Sequence, residues 1–264
     1  MYLSCGIGIY NFIISYRDMV EKALESFKKD FDAIRKKGFV ESHRKHNTGI
    51  GKTFEDLIGV EENNNLLIDY MDEIELKSSR ELSNSMVTLF TKSPLYPPKV
   101  NTVMRETFGK EEDGMKILHT TIPGDKFNTF LGKLGFKLDI DEKEEKVFIR
   151  IKNLEDDKLI DFECYYTFED LRKIIETKCK FIAFISAKNK KEDDKELFHF
   201  ENATLLSGLT FEKFLEAVKK GYIQYDIRIG VYRTGKNKGK SHDHGSGFRI
   251  KKNRMDETFK VEEI

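Results

Sequence analysis

The chain has no net charge: 46 lysines and arginines balance 46 aspartates and glutamates. A chain that is basic throughout is thereby excluded, and any contact with nucleic acid has to use a locally basic surface. Cysteine is scarce. The three residues, at positions 5, 164 and 179, show no metal-ligand spacing, and an odd number argues against a disulfide framework. A reducing cytoplasm fits that usage. Proline is equally sparse, with four residues, three of them at 94, 97 and 98, so no Pro-rich linker divides the chain. No repeat period or long low-complexity tract is present. Long apolar runs are missing too. Residues 1–16 (MYLSCGIGIYNFIISY) fall short of the roughly 20 needed to span a bilayer. They also lack the basic start and small-residue cleavage site of a secretory signal. No membrane partner is expected.

What the chain does have is length and charge. At 264 residues it can bury a core as one large domain or two lobes, and 35% of it is Asp, Glu, Lys or Arg. Within that background one stretch stands apart, TFEDLIGVEENNNLLIDYMDEIELK from Thr53 to Lys77. It places Glu55 on a predicted helix, Asp69 at the end of a short apolar run, and Glu75 and Lys77 two apart on a predicted strand. Side chains at i and i+2 of a strand share a face, so Glu75 and Lys77 project together while Ile74 and Leu76 face the core. The YMDE segment can turn the chain so that Asp69 comes beside Glu75. Two carboxylates sharing a hard divalent cation, with an ammonium alongside, suit metal-assisted phosphodiester hydrolysis.

The tripeptide acid-x-Lys carries little information by itself. It recurs at Asp141–Lys143, Glu144–Lys146, Asp156–Lys158, Glu176–Lys178 and Asp193–Lys195. Those copies fall in charged, solvated stretches or, for Glu176, on a predicted helix. IELK alone lies within an apolar alternation with an Asp suitably upstream. Read without its surroundings, the stretch is balanced between a nuclease centre and a solvated charged hairpin.

The surroundings tip that balance. The segments TGIGKTFEDLIGVEENN, ID, IELKSSR and VTLFTKSP resemble the MvaI/BcnI family of type II restriction endonucleases. These are relatives of the MutH mismatch-repair nickase within the PD-(D/E)xK nucleases. The resemblance runs from about Phe31 to the C-terminus and includes NATLLSGLTFEKFLEAVKKGYIQYDIRIGVYRTG and HDHGSGFRI. It is nearer to the MvaI branch than to BcnI or MutH. Ile68 stands where the family usually has a turn-shaping Pro. The Asp–Glu spacing is slightly longer than usual in that branch, which leaves Asp72 as an alternative ligand; Asp69, following the apolar run, is preferred.

The remaining chain is read in order. Val20, Leu24, Phe27, Phe31 and Ile34 have helical spacing over 17–37, ending at Gly38. Residues 1–18 lie before the region of resemblance and are expected to be a dispensable extension; their GIGIY is superficially similar to a GIY-type nuclease whose second motif is missing. GFVESHRKHNTGIGKT is a basic loop. Its Gly-Lys-Thr is not a P-loop, because His46 occupies the position of the required upstream glycine and no apolar strand precedes it. Arg44, Lys45 and Lys52 there either contact a phosphate backbone at a helix N-terminus or form a solvated surface. Glu55, in a helix opening at Thr53, either helps position a metal or its waters or is an ordinary first-turn acid. Met86–Thr91 is read as a strand. Val100 to Thr167 is read mainly as strands and turns, with Lys116–Ile122 and Val147–Ile151 strand-like and Asp139–Glu145 a hairpin tip. His119 is a structural strand residue on this reading. Phe168–Cys179 and Thr210–Lys220 are amphipathic helices, and Phe181–Ser186 is a strand covered on both faces.

The basic surface lies near the end. From Arg228 to Arg254 nine Lys or Arg face one acid, Asp243, the footprint expected for phosphate binding. Within it YDIRIGVYR alternates strictly, with Asp226 and Arg228 on one face. An Asp can accept from cytosine N4 and an Arg can donate twice to guanine; the plain alternative is an ion pair on a solvent face. The resemblance favours base reading, and it implies DNA contact for Arg233, His242, His244 and Arg249. A zinc site from His242 and His244 is disfavoured because no Cys partners lie nearby.

The resemblance thus implies an α/β fold, a PD-(D/E)xK mixed sheet flanked by helices with two lobes forming a DNA-binding cleft. The catalytic lobe is expected over about 19–125 and the recognition lobe over about 126–264. Asp69 and Glu75 would hold Mg²⁺, Lys77 would serve the attacking water or the phosphorane, and Glu55 would support the water shell. The implied target in double-stranded DNA is a CCNGG-type site, CC(A/T)GG foremost, cut by a cytoplasmic monomer. A companion DNA methyltransferase is expected in the host, though not as a stable complex. A MutH-like nickase and a catalytically silent DNA-binding protein are the alternatives, and the intact Asp69, Glu75 and Lys77 set argues against the second.

Overall fold

The computed structural model describes residues 3–60, 68–83 and 85–264, with side chains from Tyr16 onward. The chain divides into two compact units that interleave in sequence. One comprises residues 1–84, 180–208 and 260–264, the other 85–179 and 209–259. This differs from lobes meeting once near residue 125. A strand from the middle of the chain inserts beside Glu75–Arg80, so sheet pairing, not sequence order, draws the boundary.

The first unit is a mixed sheet. Glu75–Arg80 runs parallel to Phe181–Glu192, with Glu75 opposite Ile182 and Lys77 opposite Phe184. Phe181–Glu192 pairs antiparallel with Lys195–Ser207, which also carries Val40–Glu41 and Lys260–Glu263. Against this sheet pack the helices Leu3–Arg35 and Gly49–Ile58. The apolar stripe of the first helix is the one the helical spacing predicts, with Val20, Phe27, Phe31 and Ile34 buried. Phe27, Phe31, Ile34 and Phe54 meet Ile74, Leu76, Ala183, Ile185 and Phe200 in one core cluster. Each fully buried Phe contributes about 1.5–3 kcal/mol relative to exposure. That core fixes which face of Glu75–Arg80 points inward.

The second unit is built on an antiparallel sheet in the order Val87–Thr91, Gly247–Ile250, Ile223–Val231, Met115–Ile122, Lys110–Glu112, with Ser241–Asp243 beside Ile223–Val231. A smaller sheet joins Leu134–Asp141, Lys146–Asn153, Lys158–Leu159 and Tyr165–Thr167. The alternation of YDIRIGVYR is realised: Tyr225, Ile227, Ile229 and Val231 are buried, and Tyr225 packs on Tyr166 and Phe248.

Several boundaries follow expectation. Phe168–Lys178 and Phe211–Lys219 are helices, and the Thr210 hydroxyl accepts the Lys213 N–H as N-cap. Two expectations do not hold. Val100–Phe108 is a helix inside the stretch read as strands and turns. Its Val100, Met104 and Phe108, four apart, are all buried, a helical signal masked by the neighbouring prolines. The helix carrying Glu55 begins at Gly49 instead of Thr53, whose hydroxyl donates to the Gly49 carbonyl at 2.7 Å.

Candidate active site and nucleic-acid interface

In the first unit the YMDE segment forms a tight reverse turn. Glu73 N–H donates to the Tyr70 carbonyl at 3.1 Å, and Tyr70 and Ile74 form an antiparallel bridge. Met71 and Asp72 take φ of 50° and 57°, the pair of positive values of a type I′ turn. The residues flanking the bridge, Asp69 and Glu75, are therefore brought opposite one another. Asp69 Oδ2 accepts the Leu76 N–H at 2.8 Å, which fixes its carboxylate against the start of the strand. Asp72 sits exposed at the turn's tip.

Glu75 is 4% exposed, and its Oε1 accepts from Lys77 Nζ at 2.6 Å. The shared face predicted from the i, i+2 spacing is present, and Ile74 and Leu76 lie in the core as expected. The other acid-x-Lys copies fall elsewhere: Glu176–Lys178 on a helix, the rest at hairpin tips or turns. Among the described residues no cluster of three His, Cys, Asp or Glu is close enough to hold a metal by protein ligands alone. Two carboxylates are nevertheless an adequate donor set for a cation that keeps several waters and takes a phosphate oxygen.

Glu55 lies in the second turn of its helix, half-buried, so the first-turn dipole explanation of an acid at this position does not apply. The preceding basic loop is pinned. His43 N–H donates to Thr53 Oγ1 at 2.9 Å, and Asp56 binds both His43 Nδ1 at 2.8 Å and Lys52 Nζ at 2.7 Å. Lys52 and His43 together hold the Asp56 carboxyl below its usual range. A Cβ at Gly49 would fall 2.2 Å from the Arg44 carbonyl oxygen, so closing this loop requires glycine there. Arg44 and Lys45 are exposed.

In the second unit Asp226 is the hub of a polar face. Its Oδ1 accepts from the Thr121 hydroxyl at 2.9 Å. Its Oδ2 lies 2.7 Å from Arg228 Nε and 3.1 Å from Arg249 Nε. The side chains of Asp226 and Arg249 are each 10% exposed, while that of Arg228 is 46% exposed. Burial lowers the Arg249 pKa, and the Asp226 carboxylate opposes that shift. His242 and His244 join the face with ring centroids 4.2 Å apart, and His119 lies 6.1 Å from His244. Burial, then the neighbouring His242 and His119, lowers the His244 pKa. A concavity of about 420 Å³ opens here, lined by His119, Thr121, Asp226, Arg228 and His244 among others. Arg233 stands apart, ion-paired with Glu112 and Asp113 at 3.0 and 2.8 Å.

A model of the MvaI/BcnI restriction endonuclease family matches residues 28–259. The chain belongs to that family. It is similar to the solved structure "Restriction endonuclease MvaI-cognate DNA substrate complex", with 38% identity and a TM-score of 0.85, over 91% of this chain and 98% of that one. It is also similar to "Restriction endonuclease MvaI in the absence of DNA", with 34% identity and a TM-score of 0.59, over 92% and 97%. No curated protein sequence matches it significantly. The expected restriction endonuclease-like α/β fold is thereby borne out, and as a family member the protein is a DNA endonuclease of the restriction type.

Some polar partners in these two sites carry no sequence signal of their own. Thr121, two residues after His119 on one strand, orients Asp226. Ser246, buried, accepts the Arg228 backbone N–H at 2.8 Å. Arg80, at the end of the strand bearing Glu75 and Lys77, pairs twice with Glu196 at 2.8 and 2.7 Å. Strand alternation places Arg80 on the face of Leu76, opposite Glu75 and Lys77, so it does not flag Arg80 either. The other two become visible only through cross-strand register.

Proposed function

We propose that this family member hydrolyses double-stranded DNA at a CCNGG-type site, CC(A/T)GG foremost, using Mg²⁺. The observation that carries the reading is the turn that brings Asp69 opposite Glu75, with Lys77 ion-paired to Glu75 on the same strand face. Asp69 and Glu75 would hold the ion, and Glu55 would support its water shell. Bound there, Mg²⁺ supplies charge for the phosphorane oxygens and a more acidic water. The Lys77 ammonium orients the attacking water or stabilises charge on the phosphorane. Residues of the first unit are the catalytic set on this reading, and those of the second read the bases.

Asp226 accepts from cytosine N4 and Arg228 donates to guanine O6 and N7. Arg228 is exposed enough to swing onto a base edge while Thr121 and Arg249 keep the Asp226 carboxylate in place. His242, His244 and Arg249 complete the face, and Arg44, Lys45, Lys52 and Arg233 contact phosphates. The similarity to a solved MvaI complex with cognate DNA supports a duplex partner. The protein acts as a cytoplasmic monomer that cuts one strand and then the other, in a host whose companion methyltransferase protects its own sites. No helix among the described residues is long and apolar enough to cross a membrane.

The test is incubation with methylation-free plasmid in Mg²⁺ or EDTA, followed by end-mapping. Discrete Mg²⁺-dependent fragments ending at CC(A/T)GG are expected. Nicked circles alone would move the reading to a MutH-like nickase. DNA binding without cleavage would leave a silent binder.

A further inference from the structure

The turn that carries the candidate metal site does not have the sequence of a turn that forms by itself. A type I′ turn favours Asn-Gly, whose residues tolerate positive φ, but Met71 and Asp72 occupy the two left-handed positions here. A backbone strained in this way persists when surrounding groups hold it. Among the groups that do so are side chains of the helix Leu3–Arg35.

The helix grips the turn at both ends. At its start, the Tyr70 hydroxyl lies 2.6 Å from Asp30 Oδ2 and 2.9 Å from Ser26 Oγ, and the Tyr70 ring stands edge-on to Phe27 at 5.6 Å. At its far side, the Tyr16 hydroxyl donates to Glu73 Oε2 at 3.0 Å. Tyr16 is itself held by Lys180, whose ammonium lies 4.0 Å from the ring centroid. Lys180 directly precedes the strand that runs parallel to Glu75–Arg80. Tyr16 and Ser26 precede the first residue matched by the family model, and Tyr16 falls within the segment that sequence alone reads as a dispensable extension.

We propose that the N-terminal helix is a clamp for the metal site: Tyr16 through Glu73, and Asp30 through Tyr70, are positioning residues that hold Asp69 opposite Glu75. The clamp rests on the reading of Asp69 and Glu75 as metal ligands. None of the four clamp residues is placed on the metal or on DNA, so their removal loosens the geometry of the carboxylate pair without removing a ligand. Residues outside a metal's own ligands commonly alter affinity by about 10- to 100-fold when they bond directly to a ligand. A clamp acting through the backbone should have a smaller effect.

The experiment uses the full chain with Tyr16→Phe, Tyr70→Phe, Glu73→Ala and Glu73→Gln, beside Asp69→Ala. Three quantities are read: the Mg²⁺ concentration giving half-maximal cleavage, the rise in Tm on adding Ca²⁺, and the Tm in EDTA. Both tyrosine variants and Glu73→Ala should need about three- to tenfold more Mg²⁺ and gain less Tm from Ca²⁺. Their Tm in EDTA should stay within about 2 °C of the parent, and KM for DNA should not move. Glu73→Gln, which keeps an oxygen to accept from Tyr16, should behave like the parent. Parental metal dependence in both tyrosine variants, or a loss confined to Tm in EDTA, overturns the clamp. Cleavage by Asp69→Ala would instead remove the site reading itself. An inactive Asp69→Ala beside parental tyrosine variants refutes the clamp alone.

Discussion

Lys77 Nζ lies 2.6 Å from Glu75 Oε1, and the two side chains differ in exposure: that of Glu75 is 5% exposed, whereas that of Lys77 keeps 22% of its surface in water. The pair therefore presents an ammonium to solvent from a carboxylate anchored in the sheet. Replacing Lys77 by Met should lower the single-turnover cleavage rate about 10²- to 10³-fold while leaving Ca²⁺-supported DNA binding nearly unchanged. Lys77→Arg should not restore the rate, because a planar guanidinium does not reproduce a compact ammonium. Near-parental cleavage by Lys77→Met would exclude a chemical role for this side chain.

Asp69 and Asp72 are separated by their places in the turn. Asp69 is oriented by the Leu76 amide, whereas Asp72 is exposed with φ of 57°. Asp69→Ala should abolish cleavage and preserve specific binding in Ca²⁺. Asp72→Gly should cleave like the parent and unfold at the same or a slightly higher temperature, since glycine adopts positive φ without steric cost. An inactive Asp72→Gly alongside an active Asp69→Ala would transfer the ligand role to Asp72.

The i, i+2 spacing was enough to put Glu75 and Lys77 on one face, because a strand's period leaves no other choice once Ile74 and Leu76 are buried. Likewise the alternation around Asp226 and Arg228 survives folding intact. What the sequence did not disclose depends on pairing between distant segments. Phe181–Glu192 lies more than 100 residues from Glu75 yet forms its parallel neighbour, and Gly247–Ile250 brings Arg249 to Asp226. The grip of Tyr16 on Glu73, 57 residues away, is hidden too, since helical periodicity reports which face is buried and not what polar group its rim will meet.

Asp226 should matter for folding as well as for recognition. Removing its carboxylate leaves Arg249, whose side chain is 10% exposed, as a largely buried and uncompensated cation. Breaking a buried pair from one side costs about 3–5 kcal/mol, so Asp226→Ala should lower the urea midpoint strongly and Asp226→Asn less so. Arg228→Ala, at a half-exposed position, should leave stability nearly intact. Its cost should appear in discrimination, about 1–3 kcal/mol at one base pair, read as cleavage of singly altered sites. Unchanged selectivity in Arg228→Ala would return this pair to a surface ion pair.

His244 gives this face a pH dependence whose direction follows from its packing. Burial, then His242 and His119, depresses the His244 pKa, with Asp243 opposing and Arg228 adding to the depression. A histidine with a folded-state pKa below its unfolded value near 6.5 binds fewer protons when folded through that interval. Its contribution to stability is therefore complete above about pH 6.5 and is lost as pH falls through the folded-state pKa. Urea unfolding between pH 7.5 and 5 should show a decline that His244→Asn makes shallower. The geometry offers a second handle. A Cβ at Gly230 would stand 2.7 Å from His244 Nε2, the far end of a movable side chain, so Gly230→Ala should turn the imidazole aside at little cost in Tm. With His244 displaced from His242, the acid-side loss of stability should shrink as it does in His244→Asn. An identical pH profile in the parent, Gly230→Ala and His244→Asn would show that another group governs the acid limb.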